Sequence, residues 1–230
     1  MRWTVLTACA VVGGLGLAAP SAVGGQARHG GALVIRAAAD PGTLNGAITT
    51  ASPAHTVADS IFNGLVQLDA RLQPVPDLAE RWTVAPDGRT YTFTLARGVR
   101  WHDGRPLTSA DVKFTYEHVL LKYHARTRAG LEDVLDAVDT PDPHTVVFRF
   151  KRPFGALLQR ADVTEAPILP RHVYQGADVL QHPANAAPVG TGPFRFKEWQ
   201  RGAQVTLVKN EAYFKRGVPM VDPLVFRVLP

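Results

Sequence analysis

The sequence predicts a mixed α/β domain of the α+β kind, rich in β-hairpins. Three observations lead there. In Thr90–Leu95 the side chains Tyr91, Phe93 and Leu95 alternate with Thr90, Thr92 and Thr94. One face is large and apolar and the other is hydroxylated and β-branched, the pattern of a half-buried strand. Next, Thr108-Ser-Ala-Asp111 reads as a capping-box helix start, with Asp in place of Glu or Gln. Val112, Tyr116, Val119, Leu120 and Tyr123 then recur at helical spacing. Finally, two pairs of strand-like runs, 134–138 with 145–150 and 194–199 with 204–209, are each separated by a short turn-rich segment.

In chain order, residues 32–38 are predicted as a first strand after a Gly-rich entry, and Asp40-Pro-Gly-Thr-Leu-Asn45 as the loop leaving it. Residues 57–62 show short helical spacing, with Thr56 as the expected N-cap. A strand is expected over 65–69, and Pro74 and Pro76 mark a connection. Trp82-Thr-Val84 reads as a strand, followed by a Pro86-Asp-Gly88 turn, where proline pre-sets φ and Asp-Gly tolerates left-handed angles. His102-Asp-Gly104 is a second turn. Beyond the helix that starts near Ser109, residues 124–131 read as a basic loop. The 134–138 and 145–150 strands turn across Asp139–Pro143, with Val146, Phe148 and Phe150 facing one way. Residues 155–161 and 170–174 read as short helices, the second with Pro at a tolerated first position. The 194–209 hairpin turns across Gln200–Ala203, and residues 224–228 form a final strand.

The chain has 230 residues, 46% apolar and 20% charged, which argues for a folded core and against disorder. The net charge of +5 and pI near 9.6 come from scattered cations without a run of five like charges. That pattern reads as a solvated positive surface, with no nucleic-acid partner implied. Arg2, the uncharged stretch from Val5 to Ala19, and Gly25-Gln-Ala27 have the order of an export leader, expected to span residues 1–27. Residues 28–230 would then be the folded part. Leu6-Thr-Ala-Cys9 resembles a lipoprotein box, but too little chain precedes Cys9 for a complete leader, so lipid anchoring is not expected. Cleavage would leave no Cys, and so no disulfide, thiol nucleophile or Cys-based zinc site.

The motifs exclude several kinds of chemistry. Gly190-Thr-Gly192-Pro-Phe194 lacks the third glycine of a dinucleotide fingerprint and the Lys-Ser/Thr of a P-loop, and Pro193 removes a backbone donor. The eight histidines show no metal spacing; His118 and His124 fall on different helix faces and read as surface or core-edge residues. No Gly-x-Ser-x-Gly elbow appears, and no carboxylates sit in an acid–base motif. Neither catalytic residues, nor a metal site, nor a cofactor is expected. Trp82, Trp101 and Trp199 read as core packing.

Seven segments occur in an order that resembles the extracytoplasmic solute-binding proteins of family 5, which serve oligopeptide-, dipeptide- and nickel-type ABC importers. They are Asp40-Pro-Gly-Thr-Leu-Asn45, Ile61–Asp69, the Asp77–Gly104 block, Pro106–Phe114, Pro188–Trp199, Asn210-Glu-Ala-Tyr-Phe214 and Asp222–Val228. Departures are Ala96-Arg97 in place of a basic–acidic pair and Asn45-Gly46 in place of Asp-Pro. The resemblance implies lobe one of a periplasmic-binding-protein-like (type II) fold, with a second lobe outside these 230 residues. It implies a periplasmic, non-enzymatic protein. Such a protein captures a peptide-like solute, or a nickel or metal chelate, an opine or an oligosaccharide, and delivers it to ABC permease subunits. A truncated sensor or chaperone-like binding module without transport, or a non-functional fragment, is the alternative. By position in the resembled fold, the cleft residues would be Thr43, Leu44 and Asn45 after the first strand. Tyr123, Arg126 and Arg128 after the long helix, and Asp162 and Thr164 after the 155–161 helix, would join them. The arginines suit a carboxylate.

Overall fold

In the computed structural model, which describes residues 30–229, the alternating strands assemble into two four-stranded sheets and one short two-stranded sheet. The expected leader over residues 1–27, with Cys9, lies outside the described residues. The first strand, β1 (Leu33–Ala37), is followed by a 3-10 turn at Gly46–Ile48 and helix α1 (Ser52–Ala58). Strands β2 (Val66–Leu68) and β3 (Pro74–Pro76) pair with each other. Next come β4 (Ala79–Val84) and β5 (Thr90–Leu95). A helical rod follows: α2 (Ser109–Phe114), a π-helical stretch at Thr115–Leu120, and α3 (Leu121–Tyr123). Helix α4 (Ala125–Leu131) leads to β6 (Leu135–Asp142) and β7 (Thr145–Phe150). After α5 (Arg171–Tyr174) the chain closes with β8 (Phe194–Gln200), β9 (Gln204–Lys209) and β10 (Leu224–Val228).

One sheet has the order β4-β5-β7-β6 and is antiparallel throughout. Its inner face carries Tyr91, Phe93, Val146 and Phe148, all buried as the alternation predicts. The rod packs on that face: Tyr116 meets Phe148 edge-on at 4.8 Å between ring centroids, and Phe93 meets Phe148 at 5.6 Å. Aromatic pairs of this kind contribute about 0.5–1.5 kcal/mol beyond their burial. The capping box forms as expected, with the Thr108 N–H donating to Asp111 Oδ2 at 2.8 Å. The other sheet has the order β1-β10-β9-β8, and only the β1–β10 pair is parallel.

The structure corrects several local expectations. Helix α1 begins at Ser52, with Pro53 in its first turn, so Thr56 is an interior residue; its hydroxyl donates to the Ser52 carbonyl instead of capping. Residues 125–131 are helix α4, not a loop, because the His124 side chain caps them by accepting from the Thr127 N–H. His124 itself is fully buried, not at the core edge. Pro74–Pro76 is an edge strand, a place proline tolerates because its missing N–H faces outward. Strand β6 runs on to Asp142 with register irregularities, so the tight turn falls at Pro143-His144. In the 155–161 segment only Leu158–Arg160 forms a 3-10 turn. Trp101 is buried in the core, whereas Trp82 and Trp199 are half-buried, Trp199 lying under the Arg201 guanidinium at 3.3 Å.

Close backbone contacts join the segment before β8 to the α1–β2 connection. A Cβ on Gly190 would lie 1.9 Å from the Ile61 carbonyl oxygen, and one on Gly192 within 2.6 Å of it. The Gly192 N–H donates to that same carbonyl at 2.8 Å. These glycines let two backbones touch, which accounts for the Gly190-Thr-Gly192 motif without a nucleotide. Beside them Asn63 donates to both Asp77 oxygens at 3.0 Å and to the Tyr213 hydroxyl at 3.2 Å, and accepts from Thr191 at 3.0 Å. Lys215 Nζ completes the network 2.6 Å from Asp77. Burial nevertheless raises the Asp77 carboxyl above its ordinary value, outweighing the attraction of Lys215.

Candidate functional site

Three short elements converge beyond the end of the helical rod. Helix α1 contributes His55 and, at its C-cap, Asp59, four residues apart and so on one face. Helix α4 contributes Arg126 and, through its cap, His124. The 160–165 segment contributes Arg160, Asp162, Thr164 and Glu165. Gly64 fixes that last segment: a Cβ there would lie 2.5 Å from the Asp162 carbonyl carbon, so only glycine lets the segment lie against the α1–β2 connection.

The side chains form two neighbouring sets of contacts, joined where the His55 and His124 rings meet. Thr164 Oγ1 donates to Asp59 Oδ2 at 3.0 Å, and Asp59 Oδ1 meets His55 Nδ1 at 3.3 Å. His55 Nε2 lies 2.9 Å from the Thr49 carbonyl, and Gly46 leaves room for the ring. Arg126 Nε pairs with Glu165 Oε1 at 3.0 Å, while Arg160 Nη2 donates to the Arg126 carbonyl at 2.8 Å. Thr127 Oγ1 donates to the Glu165 carbonyl at 2.6 Å, and the Glu165 N–H donates to Asp162 Oδ1 at 3.2 Å. The His55 and His124 rings meet edge-on, 6.0 Å apart.

The network divides the charge. Burial raises the Asp162 carboxyl; the Glu165 N–H opposes this, and the neighbouring charges of Asp59 and Glu165 add to it. Burial works against protonation of His55, but Asp59 and the Thr49 carbonyl outweigh it and raise its pKa. His124 is held neutral, its pKa lowered to about 4 by burial and by the positive charge of His55, Arg126 and Arg160. Asp59, Asn63, Asp77, Asp162 and Tyr213 share a concavity of about 270 Å³. The Arg126–Glu165 pair lies outside this lining and reaches it through the Glu165 N–H, which donates to Asp162. Among the described residues, no group of three His, Cys, Asp or Glu side chains is placed to hold a metal ion.

Of the residues expected in the cleft, the structure brings Arg126, Asp162 and Thr164 into this network. Tyr123 sits at the end of the rod and faces a different concavity, of about 500 Å³. Arg128 points elsewhere and lies 3.8 Å from Glu132 on its own helix. The side chains of Leu44 and Asn45 are completely buried and position their loop instead of presenting a surface. Asn45 Oδ1 caps the Gly46–Ile48 turn by accepting from the Ala47 N–H, and Nδ2 donates to Asn185 at 2.8 Å. Half-buried Thr43 bonds the Asn45 N–H at 3.2 Å. Asp59, His55, Arg160 and Glu165 were not expected in the cleft. A signal for the first two existed: Pro53 suits a first helical turn, and the i, i+4 spacing of His55 and Asp59 puts them on one face of a helix that starts there. Nothing local ties Glu165 to Arg126.

The model for bacterial extracellular solute-binding proteins, family 5 (middle region), matches residues 73–230. The oligopeptide-binding protein AppA of Bacillus subtilis is 30% identical over 210 residues, covering 90% of this chain and 38% of AppA. The structure of AppA in complex with a nonapeptide superimposes with a TM-score of 0.78 at 28% identity, over 89% of this chain and 41% of AppA. AgaA of A. tumefaciens R10, in complex with agropinic acid, gives 0.78 at 34% identity, over 86% and 40% of the two chains. NikZ of Campylobacter jejuni, in complex with Ni(L-His), gives 0.75 at 26% identity, over 86% and 39%. The chain spans about two fifths of the length of these relatives. It carries the mixed α/β architecture of part of a periplasmic binding protein, and it belongs to the family 5 bacterial extracellular solute-binding proteins.

Proposed function

We propose that this chain is the substrate-binding part of an ABC importer, exported through its leader to the periplasm, where it captures a peptide-like solute and passes it to membrane permease subunits. Capture of this kind needs a concave surface with donors and acceptors for an extended ligand, and a closed state that the ligand favours. It involves no covalent step. The Asp59 and Asp162 carboxylates in one concavity, with the exposed Arg126 joined to them through Glu165, carry the reading. The ammonium group of a solute suits the Asp59 and Asp162 carboxylates, and Arg126, engaged by Glu165 through Nε, keeps its terminal guanidinium nitrogens for a solute carboxylate. Arg126, Asp162 and Thr164 are the proposed contacts, with Asp59 added and Thr43 at the margin. AgaA in complex with agropinic acid and NikZ in complex with Ni(L-His) support keeping opines and metal chelates as a second solute class.

Isothermal titration calorimetry and thermal melts of the exported gene product test this. The ligand panel is di-, tri- and nonapeptides, nickel–histidine, an opine and an oligosaccharide. A peptide-like ligand is expected to stabilise the protein, by about 2.7 kcal/mol at a hundredfold excess over Kd, and Arg126→Ala and Asp162→Asn are expected to weaken its binding. Stabilisation by none of the panel would remove the reading's support.

A further inference from the structure

The concavity of about 500 Å³ that Tyr123 faces lies outside the Asp59–Asp162 network, between the helical rod and the segment that begins with α5. We propose that it is a second binding site, for a small organic carboxylate with an aromatic or alkyl body. The proposal goes beyond the solute-capture reading and does not depend on it.

The floor is apolar: Phe114, Tyr174 and Val179 are buried beneath it. The rim carries cations. Lys113 is neutralised there, 2.6 Å from Glu117. Lys122 and Arg171 are exposed and make no ion pair among the described residues. Arg171 is also oriented, because its Nε donates to Gln175 Oε1 at 2.8 Å and its backbone N–H to Asp111 Oδ1 at 2.9 Å. That leaves the terminal guanidinium nitrogens for an anion. An apolar floor under two unmatched cations complements an apolar body ending in a carboxylate. The volume lies within the range of small-ligand pockets and is too small for a folded partner.

The wall itself supplies a second observation. Glu117 and His118 come from the π-helical stretch Thr115–Leu120, where the rod departs from α-helical hydrogen bonding. Such stretches are rare, and they occur frequently at functional sites. Thr115 holds this one in place, its hydroxyl donating to the Asp111 carbonyl at 2.7 Å and accepting from the Leu169 N–H at 3.0 Å. The wide turn sets the His118 ring over Phe114, with centroids 5.6 Å apart, at the edge of the floor.

Calorimetric titration of the purified chain with 4-phenylbutyrate, against 4-phenylbutylamine as a charge-reversed control, tests the site. The carboxylate is expected to bind at least about tenfold more tightly than the amine, as one or two charge-assisted hydrogen bonds imply. The exposed double substitution Lys122→Glu/Arg171→Glu is expected to abolish that preference while leaving the circular dichroism spectrum unchanged. Lys122→Gln and Arg171→Gln singly are expected to reduce it. Asp162→Asn is expected to leave 4-phenylbutyrate binding untouched, which separates this site from solute capture. Equal binding of acid and amine, no binding of the acid, or a preference that survives the charge substitutions would overturn the proposal.

Discussion

Acidification from pH 7 to pH 5 should destabilise this protein through two histidines, and His102 offers the cleaner measurement. Its Nδ1 accepts from the Gly190 N–H at 3.2 Å and its Nε2 donates to the Gly192 carbonyl at 3.0 Å. Both ring nitrogens of the neutral form are satisfied. A proton on Nδ1 would face the Gly190 N–H head-on. Burial is the largest influence, and it lowers the pKa to about 4 from an ordinary 6.5. The unfolded chain therefore binds a proton below pH 6.5 that the native state refuses until near pH 4. Stability is full above 6.5 and falls as the pH drops through that window, by about 3 kcal/mol in all and about 2 kcal/mol between pH 7 and pH 5. His124, lowered to about 4 chiefly by burial, adds a loss of the same sign. The raised pKa of His55 acts in the opposite sense: its contribution is present below 6.5 and is lost as pH rises through its folded value. Urea unfolding followed by tryptophan fluorescence at pH 7, 6 and 5 reads the total. The variant His102→Gln keeps a donor and an acceptor but does not titrate. Its loss between pH 7 and 5 should be smaller than that of the parent by about 2 kcal/mol, since contributions from His55, His124 and the buried carboxylates are common to both proteins. Parallel stability–pH curves for parent and variant, or an NMR titration placing His102 near 6.5, would refute the reasoning.

Gly190→Ala should destabilise by about 3 kcal/mol or more, because its Cβ must push the Ile61 backbone away, whereas Gly155→Ala, with open space around it, should stay within about 0.5 kcal/mol; thermal melts compare the two. Lys215→Met leaves the Asp77 carboxylate buried without its cation and should cost about 3 kcal/mol in urea unfolding, with recovery in the Lys215→Met/Asp77→Asn double variant. Asp162→Asn should raise the melting temperature at pH 7, because a group whose pKa is raised by burial is strained in its ionised form, and the gain should shrink as acid protonates the parent. If the same variant also weakens solute binding, Asp162 is kept at a cost in stability for function.

The regular elements were legible locally. Alternation in Thr90–Leu95 and Thr145–Phe150 placed the apolar side chains on the inner face, and the Thr108–Asp111 box started the rod where expected. These signals rest on neighbours within a few residues, and the chain's own periodicity records them. The errors share a cause. Residues 124–131 looked like a basic loop because their only apolar anchors are few, and their helix depends on the His124 cap and on Thr127 reaching the Glu165 carbonyl. The start of α1 was missed because no side-chain oxygen caps it.

By itself, then, the sequence determined the alternating strands and the start of the rod and, through seven ordered segments, the family. Tertiary structure alone decided the candidate site. Asp59 and Thr164 are separated by 105 residues, and Arg126 meets Glu165 only because Gly64 lets the 160–165 segment lie against the α1–β2 connection. The same packing buries the Leu44 and Asn45 side chains, and it gave the Gly190-Thr-Gly192 motif its meaning as a backbone crossing. Periodicity reports which face of an element is buried. It carries no information about which distant backbone that face will meet, and the charge network of this site consists of such meetings.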